Sequence, residues 1–263
     1  EYVARAAEGR FGEYLAARLT GPADRVVVAM ARAIGDGDRV ATGVASALPM
    51  LAVALARRTH APRLLYINCV GAVDPEIAGA AASSVDPRLL DHCRSTLGLP
   101  ELFDLARRGG IDLMFFGAAQ VDERARINLT CIGEYRRPRT KLAGPAGSPS
   151  MRSHVRKVVI VVPRHSTRSL VRAVDFATAV PAPRNRETMV VTDRARLRLD
   201  SGRLRLVSRH AGVAVEDLRA RTAFPLEGDW DATTPEPTPG EMAALAALDP
   251  GGIRHRLIRR EAR

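Results

Sequence analysis

Short apolar runs alternate along this chain with longer stretches whose apolar residues recur at helical spacing. Leu64 to Ile67, Ile111 to Phe116, Val158 to Val162, Met189 to Thr192 and Leu204 to Val207 read as strands, the first of them following Pro62, which cannot continue a helix. A further strand is expected near Arg39-Val40-Ala41-Thr42. Helices are expected from a capping Asp24 to about Ile34, from about Pro49 to Arg58, from Pro100 to Arg108 with Gly109-Gly110 closing it, and over 214–221. Residues 1–19 read as another amphipathic helix, broken by Gly21-Pro22. The alternation predicts an α/β fold, an open and mostly parallel sheet with helices on both faces.

Punctuating residues divide the chain further. A strand, a loop at Gly43, a helix and a second strand ending at Cys69 form one unit, and parallel pairing brings the Gly43 and Cys69 ends together. The small residues from Ala78 to Ser84 read as a connecting loop or as a floor around a ligand, and Asp86-Pro87 starts another helical piece. Pro138 to Pro149 is rich in Gly and Pro and reads as a loop. Thr233 to Gly240 reads as a proline-rich linker to a last helix, and the basic stretch Arg254 to Arg263 as a solvated terminus. The expected division is a helical extension over 1–21, one domain over 22–256 and a basic tail over 257–263.

Composition narrows the classes of function. The 263 residues carry 40 Lys and Arg against 29 Asp and Glu, and Lys141 and Lys157 are the only lysines. An arginine excess suits phosphate-rich partners. These arginines are spread along the chain, aromatics make up only 4 %, and no basic block interleaves with stacking residues, so nucleic-acid binding is not expected. Cys69, Cys93 and Cys131 are odd in number and lack metal-ligand spacing, which points to a reducing cytoplasm rather than a disulfide framework or a zinc site. His165, His210 and the other histidines show no paired spacing and read as structural. No apolar run reaches membrane-spanning length and no signal-peptide pattern opens the chain; it opens on Glu1, so residues upstream or a trimmed end are expected.

Candidate chemistry gathers where apolar runs stop. Cys69 ends a run and opens a turn, and Val70-Gly71-Ala72 lets backbone approach a ligand closely. A free thiol there is either a reactive group or one more buried small hydrophobe. Gly117-Ala118-Ala119 repeats the arrangement, and its small residues either admit a ligand or let a strand pack tightly under a helix.

Several segments together resemble the small (β) subunit of family I CoA-transferases of the glutaconate CoA-transferase type. Thr42-Gly43-Val44-Ala45-Ser46 and Arg58-Thr59-His60-Ala61-Pro62 match its glycine-containing loop and its R-T-H-A-P motif. Phe115 to Asp122 is similar to the G-A-A-Q-V-D strand and turn. Asn128 to Gly133 and Pro138 to Ser148 are similar to N-x-T-x-I-G and R-T-K-L-x-G-x-x-G, and Val207 to Val213 with Thr222-Ala223-Phe224 to V-S-x-H-P-G-V and T-x-F. The resemblance spans roughly residues 22 to 256 and implies the fold expected above. It further implies an acyl-CoA thioester as substrate and an α subunit that completes the site, in an αβ pair that can itself dimerise. By the same resemblance Val70, Gly71, Gly117, Ala118, Ala119 and Gln120 face the thioester oxygen, and Gly43, Val44 and Lys141 are contacts of the CoA or its loops.

Counting from Pro62, the family's catalytic glutamate falls on Cys69, with Gly71 at the family's glycine. A thiol cannot take the place of the carboxylate that carries CoA as a reversible glutamyl thioester. The run from Cys69 to Ile77 with Ser83-Ser84 resembles instead the glutaconate-CoA-transferase-like methylglutaconyl-CoA decarboxylases, whose small subunit has cysteine at this position. That likeness implies decarboxylation without biotin, pyridoxal phosphate or metal, with Cys69 as proton donor or orienting group. Two other classes stay open: CoA transfer or ring-opening hydrolysis by a carboxylate on the α subunit, and a nonenzymatic binding subunit.

Overall fold

The computed structural model describes residues 20–77 and 83–258. The helix expected over 1–19 and most of the Ala78 to Ser84 segment lie outside the described residues. The first helix, α1 (Pro22–Ala31), is capped at Gly21 and so starts three residues earlier than an Asp24 cap implies, with Pro22 in its first turn. Asp24 closes this helix from inside its first turn, its carboxylate accepting the Gly21 N–H at 2.7 Å. Strand β1 (Arg39–Thr42) leads to α2 (Ala47–Thr59) and β2 (Leu65–Ile67), and every residue of α2 from Leu48 to Ala56 is buried. So complete a burial follows from its place among β1, α1 and α6 (Pro239–Leu248), which all pack against it.

Five parallel strands form the centre of a ten-stranded sheet: β2, β1, β5 (Leu113–Gly117), β10 (Lys157–Val162) and β12 (Glu187–Thr192), in that spatial order. Leu113, Phe115, Val159, Val161 and Val191 enter the core shared with α1, α2 and α6. Their alternates Met114, Phe116, Val158, Ile160 and Val190 enter a second core with Leu102 and Ala106 of α3 (Leu99–Arg107), Met151 of α4 (Ser148–His154) and Leu218 of α5 (Val215–Ala220). Covering on both faces explains why these strands are continuous apolar runs. The chain winds from β1 to β2 on one side and to β5, β10 and β12 on the other, so the crevice between the ends of β1 and β5 is the topological switch point.

The flanks are mainly antiparallel and follow only in part from the sequence. β13 (Ala195–Asp200) joins β12 to β14 (Arg203–Arg209), and Ser201 and Gly202 both have positive φ, 49° and 81°, as a tight hairpin requires. Short strands β3 (Ala72–Val73) and β4 (Ser95–Thr96) edge the other side, and β15 (Glu227–Gly228) pairs with β14. Beside β5, β6 (Gln120–Asp122) joins β7 (Ile127–Asn128) and β11 (Leu170–Val171) in a small sheet. Within the expected Pro138 to Pro149 loop, β9 (Thr140–Lys141) pairs with β8 (Cys131–Ile132), and α4 begins at Ser148. The helical piece after Asp86 is a single 3-10 turn, Pro87–Leu90.

The C-terminal basic stretch does not begin as a solvated tail. Arg254 of α7 (Ile253–Leu257) is buried, donating through Nε to Asp24 at 2.6 Å and through Nη1 to Asp249 at 3.0 Å, while Ile258 packs into the α1 and α2 core. Asp249 also accepts the Ile253 and Arg254 backbone N–H groups. These bonds hold its carboxyl below the usual carboxylate range against the opposing effect of burial, which would raise it. His165 and His210 are buried among Thr192, Thr222 and Thr234, whose hydroxyl and carbonyl groups satisfy both ring nitrogens. That matches the structural role expected of them.

Candidate active site

The carboxyl ends of β1, at Gly43, and β2, at Cys69, come together as expected, and that of β5, at Gly117, joins them, with Ala41 level with Ile67 and Thr42 level with Phe115. A cavity of about 390 Å³ opens at the switch point between β1 and β5. Its wall includes Gly43, Val44, Met114, Phe116, Gly117, Ala118, Leu129 and the Ala143 to Ser148 segment, and no ionisable side chain lines it among the described residues. The structure therefore brings Gly43, Val44, Gly117 and Ala118 together on the wall; Cys69, Val70, Gly71, Ala119 and Gln120 are not part of that lining, and Lys141 stands exposed on β9, outside it.

Gly117 separates the two readings of its turn. A Cβ built there meets nothing within 4 Å, so the glycine is not needed for tight packing and leaves room toward the cavity. Of the amides that follow, Ala119 N–H donates to the Asn128 carbonyl at 3.0 Å. Gln120 is buried, and its Oε1 accepts from Asn128 Nδ2 at 2.7 Å and from Asp175 N–H at 3.0 Å, so it braces the turn.

Cys69 sits half-buried in the turn after β2, its Sγ 3.7 Å from the Ser84 carbonyl oxygen. Burial pushes its thiol up from the ordinary cysteine value, and the backbone and Ser84 contacts only partly oppose this. At neutral pH the group is a thiol holding its proton. Ser84 reaches across to the β1 end, donating to the Gly43 carbonyl at 3.0 Å and accepting the Ser46 N–H at 2.9 Å. Cys69 and the cavity wall are thus tied through one residue.

The turn that carries Cys69 is built from below. Asn68, fully buried, accepts the Val70 N–H on Oδ1 at 2.8 Å and donates through Nδ2 to Tyr66 Oη at 2.9 Å, and Tyr66 shares a 2.7 Å hydrogen bond with Thr42 on β1. Burial raises the Tyr66 phenol to about 12, so it stays neutral. Gly71 N–H closes the turn on the Asn68 carbonyl at 2.9 Å. The Val70 and Gly71 amides, expected to face the thioester oxygen, are therefore already engaged. Gly71 is required all the same, because its φ is +90° and a Cβ would stand 2.0 Å from the Leu97 carbonyl oxygen. Tyr66 and Asn68 carry no motif, and Ser84 enters the sequence reading only within Ser83-Ser84; all three matter through pairings that only the fold creates.

The chain is 28% identical over 242 residues to one of the subunits of the 3-oxoadipate CoA-transferase of Pseudomonas knackmussii, covering 86% of this chain and 92% of the relative. It is 25% identical over 246 residues to one of the subunits of the glutaconate CoA-transferase of Acidaminococcus fermentans, covering 85% and 91%. Among solved structures it matches a chain of the decarboxylase AibA/AibB at 43% identity and a TM-score of 0.86, covering 91% of this chain and 99% of that one. That decarboxylase has also been solved with one cysteine replaced by valine, alanine, serine or asparagine. The pattern of the Coenzyme A transferase family matches residues 23–220, three quarters of the sequence, and the chain belongs to that family.

Proposed function

We propose that this chain is the small subunit of a heteromeric acyl-CoA enzyme that decarboxylates a 3-methylglutaconyl-CoA-type substrate. The observation that carries the reading is Cys69: a protonated, half-buried thiol stands where the resemblance puts the transferase glutamate. The 43% identity to a chain of a decarboxylase, and the cysteine variants made of that enzyme, support it. The two CoA-transferase relatives are themselves single subunits of larger enzymes, which supports a two-subunit assembly with the α subunit completing the site. The reading needs CoA only as the thioester of the substrate, uses no biotin, pyridoxal phosphate or metal, and belongs to the cytoplasm.

The chemistry follows from charge. Loss of CO2 breaks the bond between the carboxylate carbon and the γ-carbon, and the electron pair spreads through the double bond onto the thioester oxygen as a dienolate. A donor near that oxygen stabilises the charge as it develops. The Gly117-Ala118 turn stands at the cavity wall, and a backbone amide there is the donor this reading calls on. The uncharged lining offers the substrate carboxylate no cation among the described residues, and cysteine in place of glutamate removes both a repelling charge and a competing nucleophile. Cys69 then gives its proton to the γ-carbon, forming the 3,3-dimethylacrylyl thioester, and the thiolate recovers a proton from water.

Purified with its α subunit, the complex is expected to release CO2 from 3-methylglutaconyl-CoA; a folded complex that releases none sinks the proposal. The transferase names of the relatives favour one second reading, CoA transfer or ring-opening hydrolysis with the carboxylate on the α subunit. Borohydride added during turnover would then reduce a glutamyl thioester on one of the chains, and an unreduced complex would count against that reading.

A further inference from the structure

We infer that Arg152, buried behind the cavity wall, is a specificity-determining cation that selects acyl-CoA thioesters whose acyl chain carries a carboxylate. This rests on the acyl-CoA reading above and extends it to a residue outside the lining.

Arg152 is a fully buried charge without a counter-ion of its own. Among the described residues it donates only from Nη1, to the Ala179 carbonyl at 3.2 Å, and neither Nε nor Nη2 has a hydrogen-bond partner. Burial lowers its pKa to about 10, so the guanidinium keeps its charge at neutral pH. The carboxylate that acts on it, Asp122, is committed elsewhere: it accepts from Arg126 Nε at 2.6 Å and from the Arg124 and Arg126 N–H groups. Two guanidinium groups thus share one buried carboxylate, which leaves a net positive charge. Arg254, by contrast, is buried between Asp24 and Asp249. A buried cation so lightly compensated is costly, and packing alone would be met by an apolar side chain of similar volume.

Its position gives the charge something to act on. Arg152 lies one turn of α4 after Ser148, on the same helix face, and Ser148 lines the cavity. The Ala179 carbonyl that Arg152 meets also accepts the Ile127 N–H, and the neighbouring Thr178 hydroxyl accepts the N–H of Leu129, a second lining residue. The guanidinium is thus set behind both sides of the wall, a helical turn and a side chain away from the cavity, on the order of 10 Å.

The lining carries no ionisable side chain among the described residues, so no charge on the wall opposes the field. At that distance a unit charge acting through protein is worth roughly a tenfold preference for an anion over a neutral group of the same shape. Because the cation does not touch the ligand, it favours the substrate carboxylate and the dienolate that replaces it about equally, and its effect falls on binding more than on turnover.

The test uses the assembled heteromer with glutaryl-CoA and butyryl-CoA, which differ by one carboxylate and lack the double bond that decarboxylation needs. Wild type is expected to bind glutaryl-CoA more tightly than butyryl-CoA. Arg152→Met, an apolar replacement of similar length, is expected to weaken glutaryl-CoA about tenfold and butyryl-CoA by less than about twofold. The same variant is expected to raise KM for 3-methylglutaconyl-CoA more than it lowers kcat. Equal loss for both thioesters overturns the assignment, since lost packing acts on both, and so does an unchanged preference. If Arg152→Met does not assemble, the comparison passes to Arg152→Gln; failure of that variant as well overturns the assignment, because the residue would then be holding the fold. A wild-type complex that binds both thioesters equally overturns it while leaving the acyl-CoA reading intact. One that binds neither removes that reading, and the assignment with it.

Discussion

Replacing Asn68 with alanine removes the brace under the Cys69 turn, and its cost can be worked from the contacts it makes. The side chain is fully buried and holds two hydrogen bonds, one from Val70 N–H and one to Tyr66 Oη. Each is worth about 1 kcal/mol net, and loss of the buried amide's packing brings the total to about 2–3 kcal/mol. Tyr66→Phe strands the buried Asn68 Nδ2 and Thr42 hydroxyl instead, at about 1–3 kcal/mol. The Asn68–Tyr66 bond is lost in both single variants but only once in the double, so the double variant is expected to cost about 1 kcal/mol less than the sum. Trp230, the sole tryptophan, lies far along the chain with Arg219 4.5 Å over its ring, so its emission during urea unfolding reports the whole fold. Costs that add to within about 0.3 kcal/mol would refute the coupled brace. In the assembled enzyme Asn68→Ala is also expected to lower kcat with little change in KM, because it loosens the turn rather than the cavity wall.

Asp24→Asn leaves the buried Arg254 guanidinium with Asp249 alone and weakens the closure of α1; a loss of about 3–5 kcal/mol is expected in the same unfolding assay, and a change under 1 kcal/mol would refute the buried ion triad as a structural tie. Burial lowers His210 to about 4 and His165 to about 3, so between pH 6.5 and those values the unfolded chain takes up protons that the fold refuses. Their contribution is complete above pH 6.5 and falls with acid by about 1.4 kcal/mol per pH unit for each histidine. His210→Gln is expected to reduce that slope between pH 6 and 4, and an unchanged slope would contradict it. Gly71→Ala is expected to destabilise by at least about 2 kcal/mol, since it combines a left-handed backbone with a clash against the Leu97 carbonyl.

How far the sequence could be read depends on the range of the interactions involved. β1, β2 and β5 were readable because apolar runs bounded by Pro and Gly are local signals, and the Gly43, Cys69 and Gly117 ends follow from them. β13 was missed because arginines at 196 and 198 mask its period of two, although Ser201-Gly202 is a hairpin signal in plain sight. The β8–β9 pair hid inside a Gly and Pro-rich stretch. Arg254 looked like part of a solvated tail because its carboxylates, Asp24 and Asp249, are set beside it only by the fold, the first 230 residues away. The candidate site divides in the same way. Sequence located Cys69 and the turn at Gly117, but not that the Val70 and Gly71 amides are used within their own turn, nor that Ser84 links the thiol to the β1 end.

The central claim is that a thiol standing where the transferase carboxylate is expected turns this fold toward loss of CO2. The most direct measurement compares CO2 release from 3-methylglutaconyl-CoA by the wild-type heteromer and by Cys69→Glu, with borohydride trapping in both. The expected result is a fall in CO2 release of at least about tenfold in the variant, the scale of a lost positioned proton donor, together with a trappable glutamyl-CoA thioester. Equal release by the two enzymes would contradict the claim and leave Cys69 outside the mechanism.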